Sequence, residues 1–406
     1  MSAVPSAIGV SGPSGSRTAA KPAISYRKSL WSAVAAALVL CAFWGALGIG
    51  VVGAAQHHDF LTTYTGARMA AAGEYSRMHD PSLMFQRMRE IDPQMLGAPV
   101  VRPHFYAFLV SPLARLDVHT AFWVWLGIQA AALLGCWIWA VRRFGPDSLI
   151  WGALSIPCVL GIFHGQDCIL MLAIAIGGFA LAERNRQWAD WAAGAVWALA
   201  LMKFHLVLFL LPAMLVSKRW RMAGGFTGMA VVLVAWCYAL AGANGLATYV
   251  ALLRDKSLER LNPTPEMMIS IQGMLVNLHV NNENAALALG AIAMVIAAVS
   301  LRATQPLWRW VALALTTSLF AAPHVYGYDA AMLMLPIWLV QAYSTRPATR
   351  VMFALCALPL SFMAGLAGAP WTILSSVFLA GCFFTLAWEA WSASSDAQAQ
   401  SAKYGY

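Results

Sequence analysis

From residue 29 onward the chain repeats one pattern: an apolar run, a short polar joint, another apolar run. The runs fall near 29–53, 119–141, 148–163, 168–183, 188–202, 204–217, 222–243, 284–301, 306–321, 328–344, 349–364 and 370–391. A helix rising about 1.5 Å per residue needs roughly 20 residues to cross a bilayer core, so the pattern predicts an all-α polytopic membrane protein with about twelve transmembrane helices. Several runs hold only about 14 to 17 residues, a length tolerated where helix ends line an enclosed or wet cavity.

Two polar segments are too long to be simple joints, 54–118 and 244–283. In the first, "FLTTYTGARMAAAGEY" sets Phe60, Tyr64, Ala67 and Ala71 at helical spacing, and "PSLMFQRMREI" forms a second amphipathic stretch. Both suit helices lying on a membrane surface. "RPHFYAFLVSPLARL" is apolar but short and interrupted by proline, which predicts an interfacial or re-entrant segment. In the second, "LRDKSLERLNPTPE" fits a solvated surface helix and a turn. The opening residues 1–28 are small, polar and rich in Pro, Gly and Ser, which predicts a disordered tail. The resulting division is a tail at 1–28, a transmembrane domain at 29–391 and a second tail at 392–406.

Composition agrees: of 406 residues 60% are hydrophobic and only 11% charged, so a soluble fold of this size has too little polar surface. The seven cysteines lie in or beside apolar runs without CxxC spacing and read as small core residues. The net charge of +9 does not point to nucleic acid, because no basic block interleaved with aromatics stands outside the membrane joints. It points to topology. Lys and Arg concentrate in the tail and in "RRFGPD", "ERNRQ", "SKRWR", "LRATQPLWR" and "STRPATR", which makes those joints and both termini cytoplasmic.

With that topology, unusual polar residues collect on the outer face. Asp59 follows the first run; His164, Gln166 and Asp167 lie in "FHGQDC". Lys203 and His205 lie in "LMKFHL", Ser270 and Gln272 in "ISIQGM", and His324, Tyr326, Tyr328 and Asp329 in "PHVYGYDAAML". Each has a plainer reading. Asp59 is equally a solvated helix end, "HGQD" a capped turn, Lys203 a snorkelling lysine and Asp329 a structural ion-pair partner. Adjacent histidines such as His57 and His58 face apart on a helix, which disfavours a metal site. The shared sidedness favours one enclosed site at the outer leaflet.

A carboxylate, a buried lysine and histidines beside a lipid-fed cavity suit group transfer from a lipid phosphate. The departing phosphate needs cationic and hydrogen-bond stabilisation more than a proton, so one base suffices. Asp59 is the candidate base and Lys203 and His324 the candidate phosphate contacts; Gln166, Asp167 and Asp329 are placed to hold sugar hydroxyls or orient the base. Tyr64 and Arg68, farther along the same helix, and Tyr328 complete the candidate substrate contacts.

The succession "HDFLTTYTGARMAAAGEYSR", "RPHFYAFLVSPLARL", "GQD", "ALALMKFHLVLFLLPAMLVSKRWR" and "PHVYGYDAAMLMLP" resembles glycosyltransferase family 87 over roughly residues 30 to 345. The resemblance implies a GT-C-type fold, a catalytic acid in the first outer loop carried onto Asp59, and a polyprenyl-phosphate-sugar donor like that of mannosyltransferases. It also implies metal-independent inverting transfer without a cofactor, with His324 and Lys203 at the donor phosphate. Asp167 stands where the family commonly has Asn, and Phe204 where it often has Pro after the lysine. The expectation is therefore an enzyme of the bacterial inner membrane that moves a hexose, with mannose the expected sugar, to a lipid or glycan acceptor at the periplasmic face. The rival is a transporter or flippase of lipid-linked sugars with Lys203 and Asp329 as an ion pair. Absent internal repeats and the one-sided polar residues count against it. Neither the acceptor nor the oligomeric state is encoded in any motif here.

Overall fold

The computed structural model describes residues 31, 34–36, 38, 39, 42, 58–93, 99–254, 264–301, 305–366 and 368–404. The amino-terminal tail, nearly all of the expected span 29–53 and most of "LRDKSLERLNPTPE" lie outside the described residues. Among those described, the chain is helical, and Met268 and Tyr326 form an isolated antiparallel bridge.

Helix α1 (His58–Ala71) carries Asp59 in its first turn and Arg68 in its last, charges that complement the helix dipole. Phe60, Leu61, Tyr64 and Ala67 form its buried face. Helix α2 (Pro81–Ile91) covers the predicted amphipathic stretch residue for residue. Asp80 caps it by accepting from the Ser82 N–H, and Pro81 supplies a first turn that needs no donor. "HFYAFLV" forms the short helix α3 (His104–Val110), followed by a 3-10 turn at Ser111–Arg115, so this apolar segment does not span. It packs with α1.

Helix α4 (Val118–Phe144) is long and apolar; Asp117 caps it at the His119 and Thr120 N–H groups, and Gly145 at φ 94° ends it. The next apolar run is broken into α5 (Ser148–Leu154) and α6 (Ile156–Phe163), because Pro157 starts a new helix and leaves Ser155 extended. Helix α7 (Cys168–Ala182) follows a tight joint. Helix α8 (Gln187–Ala198) runs into a 3-10 stretch, Leu199–Val207, broken at Lys203 (φ −128°, ψ 62°), and α9 (Leu210–Val216) leaves at 106°. Helix α10 (Trp220–Arg254) crosses α8 closely: Gly194 meets the Met222 carbonyl and Gly225 the Trp191 carbonyl, leaving no room for a Cβ on either side.

Beyond α11 (Ile271–Asn277) and α12 (Glu283–Ser300) comes α13 (Leu307–Ala321), buried from Trp310 through Ala321 at the centre of the bundle. A 3-10 segment at Gly327–Leu333 leads into α14 (Met334–Tyr343). Helices α15 (Pro347–Ala357), α16 (Pro359–Leu366) and α17 (Ile373–Tyr404) close the fold.

Among the described residues, helices α4, α10, α12 and the first part of α17 are long and apolar enough to cross a membrane, giving 4 candidate spans, or 5 with the bent pair formed by 187–207 and α9. This is an integral membrane protein. The apolar runs predict about twelve spans; the run 29–53 lies almost wholly outside the described residues, and the shorter runs are built as half-length or bent helices.

Candidate functional site

The site is organised by the joint 164–167. Gly165 sits at φ 67°, where only glycine is unstrained, and the chain reverses there between α6 and α7. Two side chains of α4 pin this turn: Trp125 Nε1 donates to the Gly165 carbonyl at 2.7 Å and Gln129 Nε2 to the Gln166 carbonyl at 2.6 Å. The bare Cα of Gly165 lets the start of α1 come close; an added Cβ would lie 2.6 Å from Cβ of Phe60. Asp59, the neighbour of Phe60, thereby reaches the joint. Its Oδ2 is 3.4 Å from His164 Nδ1, with side-chain exposures of 27% for Asp59 and 39% for His164. Burial works against the charge on Asp59, but His164 and Gln166 as hydrogen-bond partners, with the Lys203 charge behind them, hold its carboxyl below the ordinary aspartate range.

Beneath Asp59 four charged side chains meet from four distant segments. Arg102 grips Asp167 with two hydrogen bonds, at 2.8 and 3.1 Å, and Nη2 also donates to Gln166 Oε1 at 3.3 Å. The Lys203 ammonium donates to Asp329 Oδ1 at 2.7 Å and to Gln166 Oε1 at 3.0 Å, and lies 3.1 Å from Asp167 Oδ1. The backbone break at Lys203 turns the residue out of the helical repeat, and its ammonium stands 5.2 Å from the centre of the Tyr328 ring. The second oxygen of Asp329 accepts from the Tyr326 N–H at 3.0 Å, capping the 3-10 segment. Lys203, Asp167 and Asp329 are 1–2% exposed and Arg102 13%. Two cations and two carboxylates balance, which is the condition for keeping charges out of water.

A wall of rings borders this cluster. His324 stands edge-on to His205 (5.4 Å, 90°) and to Tyr326 (5.0 Å, 83°); Tyr326 and His164 both approach Tyr328. Burial, and the charges of Lys203 and Arg102, push the His324 imidazole down to about 4. The second long loop reaches the same wall, since Ile269 N–H donates to the Val325 carbonyl at 2.9 Å. There the Ser270 hydroxyl is buried without a partner, as is Nε2 of His205.

Asp59, Gln166, Asp167, Lys203, His324, Tyr328 and Asp329 are thus neighbours. Tyr64 and Arg68 are not brought to the charged cluster: the Tyr64 hydroxyl donates to the Leu116 carbonyl at 2.6 Å, and Arg68 is exposed at the far end of α1. Arg102 enters the cluster without having been singled out by its sequence context; the one sign was a cation opening a Pro-aromatic apolar stretch. Its backbone is anchored in turn. His79 Nε2 donates to the Arg102 carbonyl at 3.0 Å, Tyr249 donates to the Val101 carbonyl at 3.1 Å, and His79 packs edge-on to His104 at 4.5 Å. Burial and each other's proximity push His79 down to about 3, and burial pushes His104 down to about 4.

The model of glycosyltransferase family 87 matches residues 102–323. The matched stretch opens at Arg102 and contains His164, Gln166, Asp167 and Lys203, while Asp59, His324 and Asp329 lie outside it. Neither a curated protein nor a solved structure matches the chain.

Proposed function

The chain belongs to glycosyltransferase family 87, and from that premise we propose that it moves a hexose, with mannose the expected sugar, from a polyprenyl-phosphate donor to a lipid or glycan acceptor. Asp59 takes the acceptor hydroxyl proton as the new C1–O bond forms. The bond from C1 to the phosphate oxygen breaks on the opposite face of the sugar, and its electron pair leaves with the phosphate. His324 donates to that phosphate. Lys203 acts from behind it, with its charge already matched by Asp167 and Asp329.

One observation carries this reading. Of the three aspartates gathered here, Asp167 and Asp329 are 1% exposed and committed to cations, whereas Asp59 is 27% exposed at the surface of the cluster. A base must be reachable by the hydroxyl it deprotonates. The reading extends to a GT-C-type arrangement of about twelve spans in which bent and half-length helices count as crossings, with both termini cytoplasmic and the site facing the periplasm.

The Lys203–Asp329 pair at 2.7 Å is also what a carrier of lipid-linked sugars requires. One experiment separates the two. Membranes containing the protein or its Asp59→Asn variant receive radiolabelled polyprenyl-phosphate mannose. Labelled product from the wild type alone is the expected result; transfer retained in the variant, or translocation without product, overturns the assignment.

A further inference from the structure

Gln166 is the contact through which the buried charges reach Asp59. Its side-chain oxygen accepts from two cations at once, Lys203 Nζ at 3.0 Å and Arg102 Nη2 at 3.3 Å. An amide presents one acceptor and one donor end, so two cations at the oxygen leave only the NH2 group for Asp59, whose charged form Gln166 favours. The backbone beneath the side chain is equally constrained. Its carbonyl accepts from Gln129, the neighbouring carbonyl accepts from Trp125, and its N–H donates to the Gly161 carbonyl at 2.9 Å. A rotation of the amide would set NH2 against two cations and oxygen against a carboxylate. Gln166 therefore has one orientation available.

We infer that Gln166 is a positioning residue for the base: Arg102 and Lys203 lock its amide, and the locked NH2 holds the Asp59 carboxylate toward the acceptor. This rests on the assignment of Asp59 as the base. It differs from a substrate contact, because neither end of the amide is left for a sugar hydroxyl. It also gives Arg102 a place in the reaction, two contacts removed from the reacting atoms.

The discriminating substitution is Gln166→Glu, nearly identical in shape. One glutamate oxygen keeps both cations, so the cluster stays satisfied, while the other replaces a donor by a negative charge facing Asp59. Other charged or titratable groups around Asp59 are His164 from the same joint, Lys203 from the broken helix, and His324, Tyr326 and Tyr328 from the segment after α13. All are unchanged by the substitution. A like charge beside a carboxylate favours its protonated form. The expected result is a folded protein whose kcat falls by about tenfold or more with donor KM held within about threefold, and whose acid limb moves to higher pH.

Gln166→Met removes the contact without adding charge; its kcat should fall, with the acid limb moving up by less than in Gln166→Glu. A wild-type profile for folded Gln166→Glu overturns the inference, as does a rise in donor KM at unchanged kcat, which makes Gln166 a sugar contact. If Gln166→Glu does not fold, Gln166→Met decides on kcat. Failure of both to fold assigns Gln166 to the scaffold alone and also overturns it. Activity retained in Asp59→Asn sinks the parent assignment. An inactive Asp59→Asn beside a wild-type-like Gln166→Glu sinks only this one.

Discussion

Arg102 and Asp167, 65 residues apart in the chain, are joined by two parallel hydrogen bonds at 2.8 and 3.1 Å. The pair fastens the segment before α3 to the start of α7, with the guanidinium fork matching both carboxylate oxygens. Asp59 sits above this clamp.

Removing one side of a buried ion pair strands the other. Arg102→Met should cost about 3–5 kcal/mol of stability, and Arg102→Lys should restore only part of it because an ammonium cannot bridge both oxygens. Thermal unfolding in detergent, read beside transferase activity, checks both. An Arg102→Met protein as stable as wild type contradicts the clamp.

Lys203 and Asp329 should be energetically coupled. Lys203→Met leaves two carboxylates facing each other, and adding Asp329→Asn relieves part of that repulsion. A double-mutant cycle should therefore give a coupling energy of about 0.5–3 kcal/mol, the range for contacting residues. Additive effects argue that the 2.7 Å contact carries no stability.

Gly165→Ala addresses the approach of α1. The residue sits at φ 67°, and the new methyl would press on Phe60. Backbone strain of about 1–3 kcal/mol is expected, with loss of transfer because Asp59 moves with Phe60. Wild-type activity in this variant means that the close approach does not position the base.

The pH dependence of stability has a defined sign. His79 and His104 stay neutral in the fold at about 3 and about 4, below the ordinary histidine value of 6.5. The unfolded chain binds protons first, so stability is full above about pH 6.5 and falls by about 1.4 kcal/mol per pH unit per group as pH drops toward the folded values. The melting temperature should fall between pH 7 and pH 5. Replacing both histidines by asparagine should flatten that fall; an unchanged slope refutes the attribution.

Asp59 behaves in the opposite sense. Its carboxyl lies below the ordinary aspartate range, so the charged form persists and its stabilising contribution is lost only as pH falls through that depressed value. A pH–rate profile should show no loss of activity from Asp59 protonation between pH 7 and pH 5. An acid limb in that window that Gln166→Met leaves in place belongs to another group.

Hydropathy located α2, α12 and α13 to within a residue or so, because each is a continuous run bounded by Pro81, Asn282 and Pro306. It missed the interruptions. The run expected at 148–163 is split around Ser155 and Pro157 into α5 and α6, since a single proline breaks a helix without changing the average polarity around it. Beyond the kink at Gly242, where the run 222–243 ends, α10 goes on to Arg254. The sidedness of the polar residues anticipated that Asp59, Gln166, Lys203, His324 and Asp329 are neighbours. It did not reveal Arg102, whose partner Asp167 lies in another joint; nothing local distinguishes a clamped arginine from one that snorkels. Tyr64 shared a helix with Asp59, but its buried hydroxyl found the Leu116 carbonyl instead.

The Lys203–Asp329 contact spans 126 residues, which bears on how the chain is made. Lys203 reaches the translocon well before Asp329 has left the ribosome. An ammonium resting alone in lipid costs about 2.5–3.5 kcal/mol on the insertion scale. Until the segment after Tyr328 arrives, the partners on hand for Lys203 are Asp167 and Gln166, which precede it in the chain. Chains cut short before that point lack the second carboxylate and leave Arg102 and Lys203 to share Asp167 alone.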